Sequence, residues 1–507
     1  MFKGHPKGLI PASLANMGER FGFYTMMAIL VLFLQAKFGL SGTNAGYIYA
    51  AFYFSIYILA LVGGIIADRI KNYKGTILVG LILMAVGYAI MAIPTPTPVS
   101  SVPFFLTVSI VGLFVIAFGN GLFKGNLQAL VGQMYDNEKY GAKRDSGFSL
   151  FYAFINVGAI FAPFTAVGIR EWWLKSNGYI YDANLPEQCH TFLGGNMTAD
   201  NASKFQEYAA AASDVPVSDL TAFSNDYLNV FNTGFHYAFG IAIIAMAIST
   251  VIYLVNKKNF PDPKGTKNAA GEITEEIKME AKEVAQRMYA LLAVFAVVIF
   301  FWFSFHQNGL TLTFFAKDYT LLQFGSWKFS AEIFQSMNPF FVVFLTPIIV
   351  ALFGWLNARG IEPSTPKKIA IGMGIACSAF VVMMLGSFGL PLLSEISSSM
   401  GGTPLVDSEK VTPFLLLGTY FILTVAELFI SPMGISFVSK VSPPQYQGLM
   451  QGGWLGATAL GNGLLFIGAI LYESIPIWMT WGIFVIATAI SMFTVLFMVK
   501  WLERVAK

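Results

Sequence analysis

Glu19 and Arg20 stand side by side inside the first long apolar stretch of the chain, residues 9–36. At 1.5 Å per residue this stretch is long enough to cross a hydrocarbon core of about 30 Å. A charge at that depth costs at least about 2.5 kcal/mol on insertion scales, so the pair must face protein, a partner or water. Lys124 and Glu427 fall inside apolar runs in the same way, with Asn156, His306, Gln307 and Asn338 as neutral polar groups at comparable depth. Tyr24 and Tyr57 add hydroxyls, and Trp302 and Trp454 add large walls. Both halves of the chain thus bring charge of both signs or a titratable ring to the middle of a membrane. That set suits a zwitterion held across a cleft, with an acid on one side and a base on the other.

Each of these residues also has a purely structural reading. Glu19 and Arg20 can neutralise one another. Lys124 follows Gly119-Asn120-Gly121-Leu122-Phe123 and can snorkel toward the cytoplasmic edge, while the glycines let helices pack closely. Asn156 and Asn338 can bond across helices, and His306 can be a satisfied buried histidine. Glu427 resists this treatment: Lys440, at the membrane edge, lies thirteen residues away. That is about 20 Å at helical rise, too far to snorkel.

Composition sets the solvent. Apolar residues make up 56% of the 507 and charged residues 12%, with 48 phenylalanines. Soluble chains carry about 25% charged residues, so this is a polytopic membrane protein with the lipid bilayer as its surroundings. A formal charge of +3 is too small to point to nucleic acid. Cys189 lies in a polar segment and Cys377 in an apolar run, so no disulfide is expected between them. There is no zinc spacing and no nucleophile–base constellation, which argues against an enzyme and against a cofactor. The first apolar run is too long for a cleavable signal and lacks a small-residue cleavage site.

Twelve spans are expected, at 9–36, 44–67, 75–93, 103–133, 147–169 and 233–255, then 286–316, 331–358, 368–390, 411–437, 447–472 and 476–500. Continuous apolar runs of this length must be helices, because open sheet edges cannot lie in lipid. Placing both termini in the cytoplasm puts 22 of the 31 Lys and Arg on that side, as the positive-inside rule requires. The chain divides into an N-terminal six-helix bundle over 1–255, a polar linker over 256–285 and a C-terminal six-helix bundle over 286–507. Residues 170–232 form an extracytoplasmic loop with two Asn-x-Ser/Thr tripeptides, at Asn196 and Asn201. In the linker, Ile273, Ile277, Ala281 and Val284 share a helical stripe opposite a charged face, which fits a helix on the cytoplasmic membrane surface, with a plain solvated tether as the alternative. A six-plus-six arrangement is the plan of major-facilitator carriers, whose site lies at the midplane between the halves.

Specific motifs sharpen this. Gly63-Gly64-Ile65-Ile66-Ala67-Asp68-Arg69 with Lys74-Gly75 resembles the loop between the second and third helices of major-facilitator proteins. Gly119-Asn120-Gly121-Leu122-Phe123-Lys124-Gly125-Asn126 and the run from Arg144 to Gly158 resemble signatures of the proton-dependent oligopeptide transporter family. Phe301-Trp302, Gln307-Asn308-Gly309, Asn338-Pro339, the run from Pro363 to Lys367, that from Glu427 to Gly434, and Gly453-Trp454 continue the match in order over nearly the whole chain. The resemblance implies that Arg20, Tyr24, Tyr57, Lys124 and Asn156 line a peptide pocket in the N-terminal half. Arg20 and Lys124 would favour the peptide carboxylate. Asn338, Glu427 and Ser431 would form the C-terminal side, with Glu427 against the α-ammonium group and Trp302 and Trp454 framing side-chain pockets. Glu19 and Arg20 match the end of the family's Glu-x-x-Glu-Arg motif.

The departures bear on coupling. The first acid of that motif is Asn16, Phe23 and Met27 stand where relatives often carry tyrosine and arginine, and the acid before Gln307 is His306. Glu19 can still titrate against Arg20 or Lys124. His306, with an ordinary pKa near 6.5, is the candidate for the titrating group of the C-terminal half. The sense of its charge is inverted, since it passes from neutral to positive where a carboxylate passes from negative to neutral. The expectation is therefore a monomeric plasma-membrane carrier (inner membrane in a bacterium) that imports di- and tripeptides with protons by alternating access. The competing expectations are the same fold moving another solute, or peptides without proton coupling, and a peptide receptor or scaffold that does not transport.

Overall fold

The computed structural model describes residues 4–135, 138–261, 281–443 and 446–505. Its twelve membrane-length helical segments follow the apolar runs of the sequence. The N-terminal half contains α1 (Leu9–Phe38), α2 (Gly42–Ile70), α3 (Tyr73–Ala92), α4 (Val102–Gln133), α5 (Arg144–Ser176) and, after two short helices α6 (Leu185–Leu193) and α7 (Ala199–Ala211), α8 (Leu220–Asn256). The C-terminal half begins with α9 (Ala281–Phe305), which is broken from its continuation α10 (Thr311–Tyr319) by a 3-10 turn at His306–Gly309. A two-residue hairpin, β1 (Gln323–Phe324) and β2 (Trp327–Lys328), precedes a 3-10 turn at Ala331–Ser336 and α11 (Met337–Ala358). Then come α12 (Thr365–Gly386), the single turn α13 (Leu393–Ile396), α14 (Pro413–Val441), α15 (Gln447–Gly463), α16 (Phe466–Ser474) and α17 (Ile477–Val505).

Helix ends are fixed by local chemistry. Ser41 accepts from Asn44 N–H, Asn72 from Gly75 N–H and Asp219 from Thr221 and Ala222 N–H, so side chains cover donors that would otherwise be orphaned. Close approach depends on missing side chains. A Cβ on Gly63 of α2 would sit 2.1 Å from Gly121 O of α4, and one on Gly80 of α3 would sit 2.7 Å from Gly119 O. The glycines before Lys124 thus let the helices pack closely.

The two halves repeat one pattern of neighbours. α1 packs on α5 and α8, α3 on α4 and α8, and α2 on α4; in the same way α9 packs on α15 and α17, α12 on α14 and α17, and α11 on α14. Such a parallel repeat leaves one cleft, between the halves. Across it α2 meets α15 and α16, and α5 meets α11.

Two boundaries differ from the sequence expectation. The helix expected to end at 169 continues to Ser176, and the one expected to start at 233 begins at Leu220. Arg170 and Lys37, expected in loops, are therefore inside helices and buried. The Lys37 ammonium donates to Thr95 O at 2.6 Å and to His236 Nε2 at 3.0 Å, and His236 Nδ1–H donates to Met91 O at 2.7 Å. The segment 170–232 is thus largely helical, with α6 and α7 packed on α8. Of the expected surface helix over 256–285, residues 262–280 lie outside the described part; Lys257–Asn259 form a 3-10 turn. Cys189 and Cys377 are free thiols in α6 and α12.

A candidate solute site between the two bundles

On the N-terminal side, α1 presents Glu19 and Arg20 as a bidentate pair. Arg20 Nε donates to Glu19 Oε2 at 2.5 Å and Nη2 to Oε1 at 2.6 Å. Asn120 of α4 adds a third bond to Glu19 Oε1 at 2.7 Å. Glu19 is fully buried, and the guanidinium also lies over the Phe23 ring, 4.6 Å from its centre. A departure from the family pattern thus serves as a platform for the arginine. Lys124, one turn along from Asn120, is half-buried with its ammonium 4.6 Å from the centre of the Tyr57 ring. Among the described residues it has no carboxylate partner.

The C-terminal side handles charge differently. Asn338 Nδ2, from the first turn of α11, donates to Glu427 Oε2 at 2.8 Å and to Thr424 Oγ1 at 3.1 Å, both on α14. Glu427 has no cation partner among the described residues. Tyr24 and Tyr57 lie within electrostatic range of Arg20 and of Glu427, so they stand between the charged groups of the two halves. Tyr152 of α5 feels Glu427, Tyr24 and Tyr57. Trp454 is buried against Gly434, where a Cβ would meet its ring at 1.9 Å, and the buried Ser431 hydroxyl has no protein partner among the described residues.

His306 occupies the break between α9 and α10. Its ring stacks on Trp302 at 4.9 Å and 18°, and Tyr53 of α2 covers it at 4.8 Å. Its Nδ1 lies 2.5 Å from Asn462 Oδ1. Gln307 turns away from the cleft: it accepts from Thr311, donates to Leu465 O at 3.3 Å and fills the space beside Gly468. It holds the break in α9–α10 against the break in α15–α16. Asn156 donates to Tyr152 O of its own helix, so its amide nitrogen is already engaged.

The structure therefore brings Glu19, Arg20, Tyr24, Tyr57, Lys124, Trp302, His306, Asn338 and Glu427 to the two facing walls of one cleft. It adds Asn120, Thr424, Tyr53, Tyr152 and Asn462, which sequence reasoning did not single out. Asn120 lay in view inside the Gly-rich motif, but nothing in its spacing links it to a residue of α1.

Toward the face away from the chain termini the halves are bonded to each other. Arg170 of α5, fully buried, pairs with the equally buried Glu332 and donates to Ser330 Oγ at 3.0 Å. Its guanidinium lies 4.2 Å from the centre of the Tyr181 ring. Ser336 Oγ donates to Ile160 O at 2.9 Å and Gln335 Nε2 to Ala28 O at 3.2 Å. Glu187 of α6 accepts from Lys317 at 3.5 Å, from Ser397 Oγ at 2.5 Å and from Ser399 N–H at 2.9 Å. Burial pushes the Glu187 carboxyl up, but Lys317 and these hydrogen bonds outweigh it and hold the group below the usual carboxylate range. Cavities of about 320 and 500 Å³ lie on this face around Lys317, apart from the charged walls of the cleft.

Comparison with known proteins agrees with this architecture. The model of the POT family matches residues 74–283 and 264–479. The peptide transporter YePEPT of Yersinia enterocolitica is 28% identical over 479 residues, covering 91% of this chain and 87% of the relative. Dipeptide and tripeptide permease A of Escherichia coli is 24% identical, covering 90% and 82%. The crystal structure of a peptide transporter POT in complex with sulfate superposes with a TM-score of 0.74 at 22% identity over 100% of this chain and 96% of that one. A POT family transporter in complex with 5-aminolevulinic acid gives 0.72 at 20% identity, over 100% and 98%. With twelve spanning helices in two repeated bundles and a family match across most of its length, this multi-pass membrane protein belongs to the POT family of transporters and has the major-facilitator fold.

Proposed function

We propose that this protein imports di- and tripeptides by proton symport, and that Lys124 and Glu427 receive the two ends of the peptide. The observation that carries the reading is one of charge. Among the described residues Lys124 on one wall lacks a carboxylate and Glu427 on the other lacks a cation, and tyrosines stand between them. A zwitterion satisfies both at once. Its carboxylate meets Lys124, supported by Arg20, and its ammonium meets Glu427 beside Asn338. Both groups are partly desolvated, so each ion pair gains more than it would in water, and an uncharged solute leaves both unsatisfied. Tyr24, Tyr57 and Asn156 line the N-terminal side, Ser431 the C-terminal side, and Trp302 and Trp454 bound the space for peptide side chains. The peptide transporters among the relatives support the substrate class.

Coupling falls to Glu19, with Arg20 and Lys124, and to His306. The positive-inside distribution of Lys and Arg supports cytoplasmic termini in a plasma membrane or bacterial inner membrane, so the bonded face is the extracytoplasmic one. Alternating access then requires the Arg170–Glu332 and Glu187–Lys317 contacts to open and the halves to rock around the midplane. The functional unit is the single chain, which carries both walls. The proton is the coupling ion, and no cofactor is needed. A second reading, transport of another small zwitterion, is favoured by the relative that binds 5-aminolevulinic acid.

The test is uptake of labelled dialanine into proteoliposomes with and without an inward proton gradient. Accumulation that collapses with a protonophore is the expected result. Exchange that ignores the gradient would remove coupling, binding without counterflow would identify a receptor, and no dialanine transport by folded protein would remove the substrate.

A further inference from the structure

Among the described residues His306 is the one histidine of the cleft, with two chemically distinct ring nitrogens, and a neutral residue occupies one of them. Asn462 of α15 is fully buried, and its carbonyl Oδ1 stands 2.5 Å from His306 Nδ1. With the amide set this way, Oδ1 toward the ring and Nδ2 buried without a partner among the described residues, the carbonyl oxygen only accepts, so Nδ1 carries the proton in this contact. In the neutral ring Nε2 is then the basic atom. The ring cannot easily turn to exchange the two nitrogens, because Trp302 stacks on it and Tyr53 of α2 covers it at 4.8 Å. The titratable and charged groups around it are Tyr53 from α2 and Lys124 from α4, whose ammonium is within electrostatic range. No carboxylate among the described residues bonds to it.

We propose that Asn462 is a positioning residue that fixes His306 as the Nδ1–H tautomer and leaves Nε2 as the atom that takes up the proton. This rests on the reading of His306 as the titrating group of the C-terminal half. When Nε2 is protonated, the Nδ1–H···Oδ1 bond persists and becomes charge-assisted, so no side chain must move for the charge to change. The opposite tautomer would need the Asn462 amide to turn over before the ring could hold a second proton. An amide is suited to this place: it selects the tautomer without contributing charge of its own. A carboxylate there would bias the ring toward its cationic form by one to three pH units, by analogy with other close opposite charges.

The experiment uses the full chain in proteoliposomes, labelled with 15N-histidine; the chain has four histidines, and His306→Gln assigns the signal. The expected result is a protonated Nδ1 and an unprotonated Nε2 at high pH in the parent protein. Asn462→Leu should give a mixture of tautomers and lower the His306 titration midpoint. Asn462→Asp should keep the tautomer and raise the midpoint by about one unit or more, with the pH profile of dialanine uptake moving in the same direction. A protonated Nε2 in the parent protein, or a tautomer and midpoint unmoved by Asn462→Leu, would overturn the assignment. If the NMR results hold while His306→Gln keeps the wild-type uptake profile, the coupling role of His306 fails and the tautomer assignment stands. Because Asn462→Asp retains an acceptor oxygen of the same size, it remains informative even where Asn462→Leu does not fold.

Discussion

The two walls of the cleft hold their ionisable groups in opposite ways. On the N-terminal wall Glu19 and Arg20 are locked together by two hydrogen bonds, with Asn120 as a third hand. On the C-terminal wall Glu427 rests on the amide of Asn338, and His306 on that of Asn462. A buried ion pair resists change, because removing either charge strands the other in a medium that solvates it poorly. A group held by an amide keeps its partner in either protonation state and has charge left over for a ligand. The N-terminal wall thus changes charge only when Glu19 and Arg20 are parted, with Lys124 as its spare charge, whereas the groups of the C-terminal wall can each respond alone.

The sharpest way to break this contrast is Glu19→Gln. It leaves Arg20 buried without a counter-charge, a loss of roughly 3–5 kcal/mol, and thermal unfolding of the purified protein should show it along with loss of uptake. The double variant Glu19→Gln/Arg20→Met should recover much of the stability and none of the transport. Recovery of transport would mean that the pair is only structural.

Glu427→Gln should have the reverse profile. Stability should stay within about 1 kcal/mol, since the new amide still meets Asn338. Dialanine uptake should fall by at least about 30-fold, the lower end of what an unpaired interfacial charge costs. Competition by an N-acetylated dipeptide should hardly change, and an equal loss for both peptides would show that Glu427 does not read the ammonium group. Asn338→Ala removes one bond to that carboxylate and should raise the KM for dialanine about tenfold, as expected for a hydrogen bond to a charged group.

The smallest effect is expected outside the cleft. The Glu187 carboxyl is held below the usual range, so its contribution is complete above the ordinary carboxylate pKa and is lost as pH falls through the lowered one. Hydrogen exchange in Leu185–Leu193, corrected for the intrinsic rate, should stay slow at pH 7 and quicken below about pH 4. Glu187→Gln should flatten that dependence. A parent protein with no acid response would show that α6 is held by its apolar contacts alone.

Much of this was legible in the sequence. Twelve spans, the two charged walls and the family emerged from apolar runs, midplane charges and ordered motifs. What was hidden depends on how helices turn toward one another. Arg170 ended a predicted span because a charge normally marks the membrane edge, yet Glu332 and three aromatic rings enclose it. The early turns of α8 carry Ser224, Asn225, Asp226, Asn229 and Asn232, which broke the apolar run although the helix continues. Asn462 and Asn120 look like ordinary polar residues in glycine-rich helices. Only their distances to His306 and Glu19 give them a role.

The paired interruptions at His306–Gly309 and at Leu464–Leu465 break two neighbouring spanning segments of the C-terminal half, while α12, α14 and α17 run through unbroken. α10 and α16 touch each other above the break, and Thr43 of α2 bonds to Glu473 at the end of α16. The Gln307 side chain bridges the two breaks at the same level. Two helices that lose their regular ladder at adjacent points, and are pinned together there, behave like a door hung on two aligned pins. α10 and α16 are thereby set apart from α9 and α15 as a pair of short segments, while Glu427 sits on the unbroken α14. In the proposed transport cycle, bending at these two joints together is the motion that opens the face away from the termini, with His306 seated on the pin.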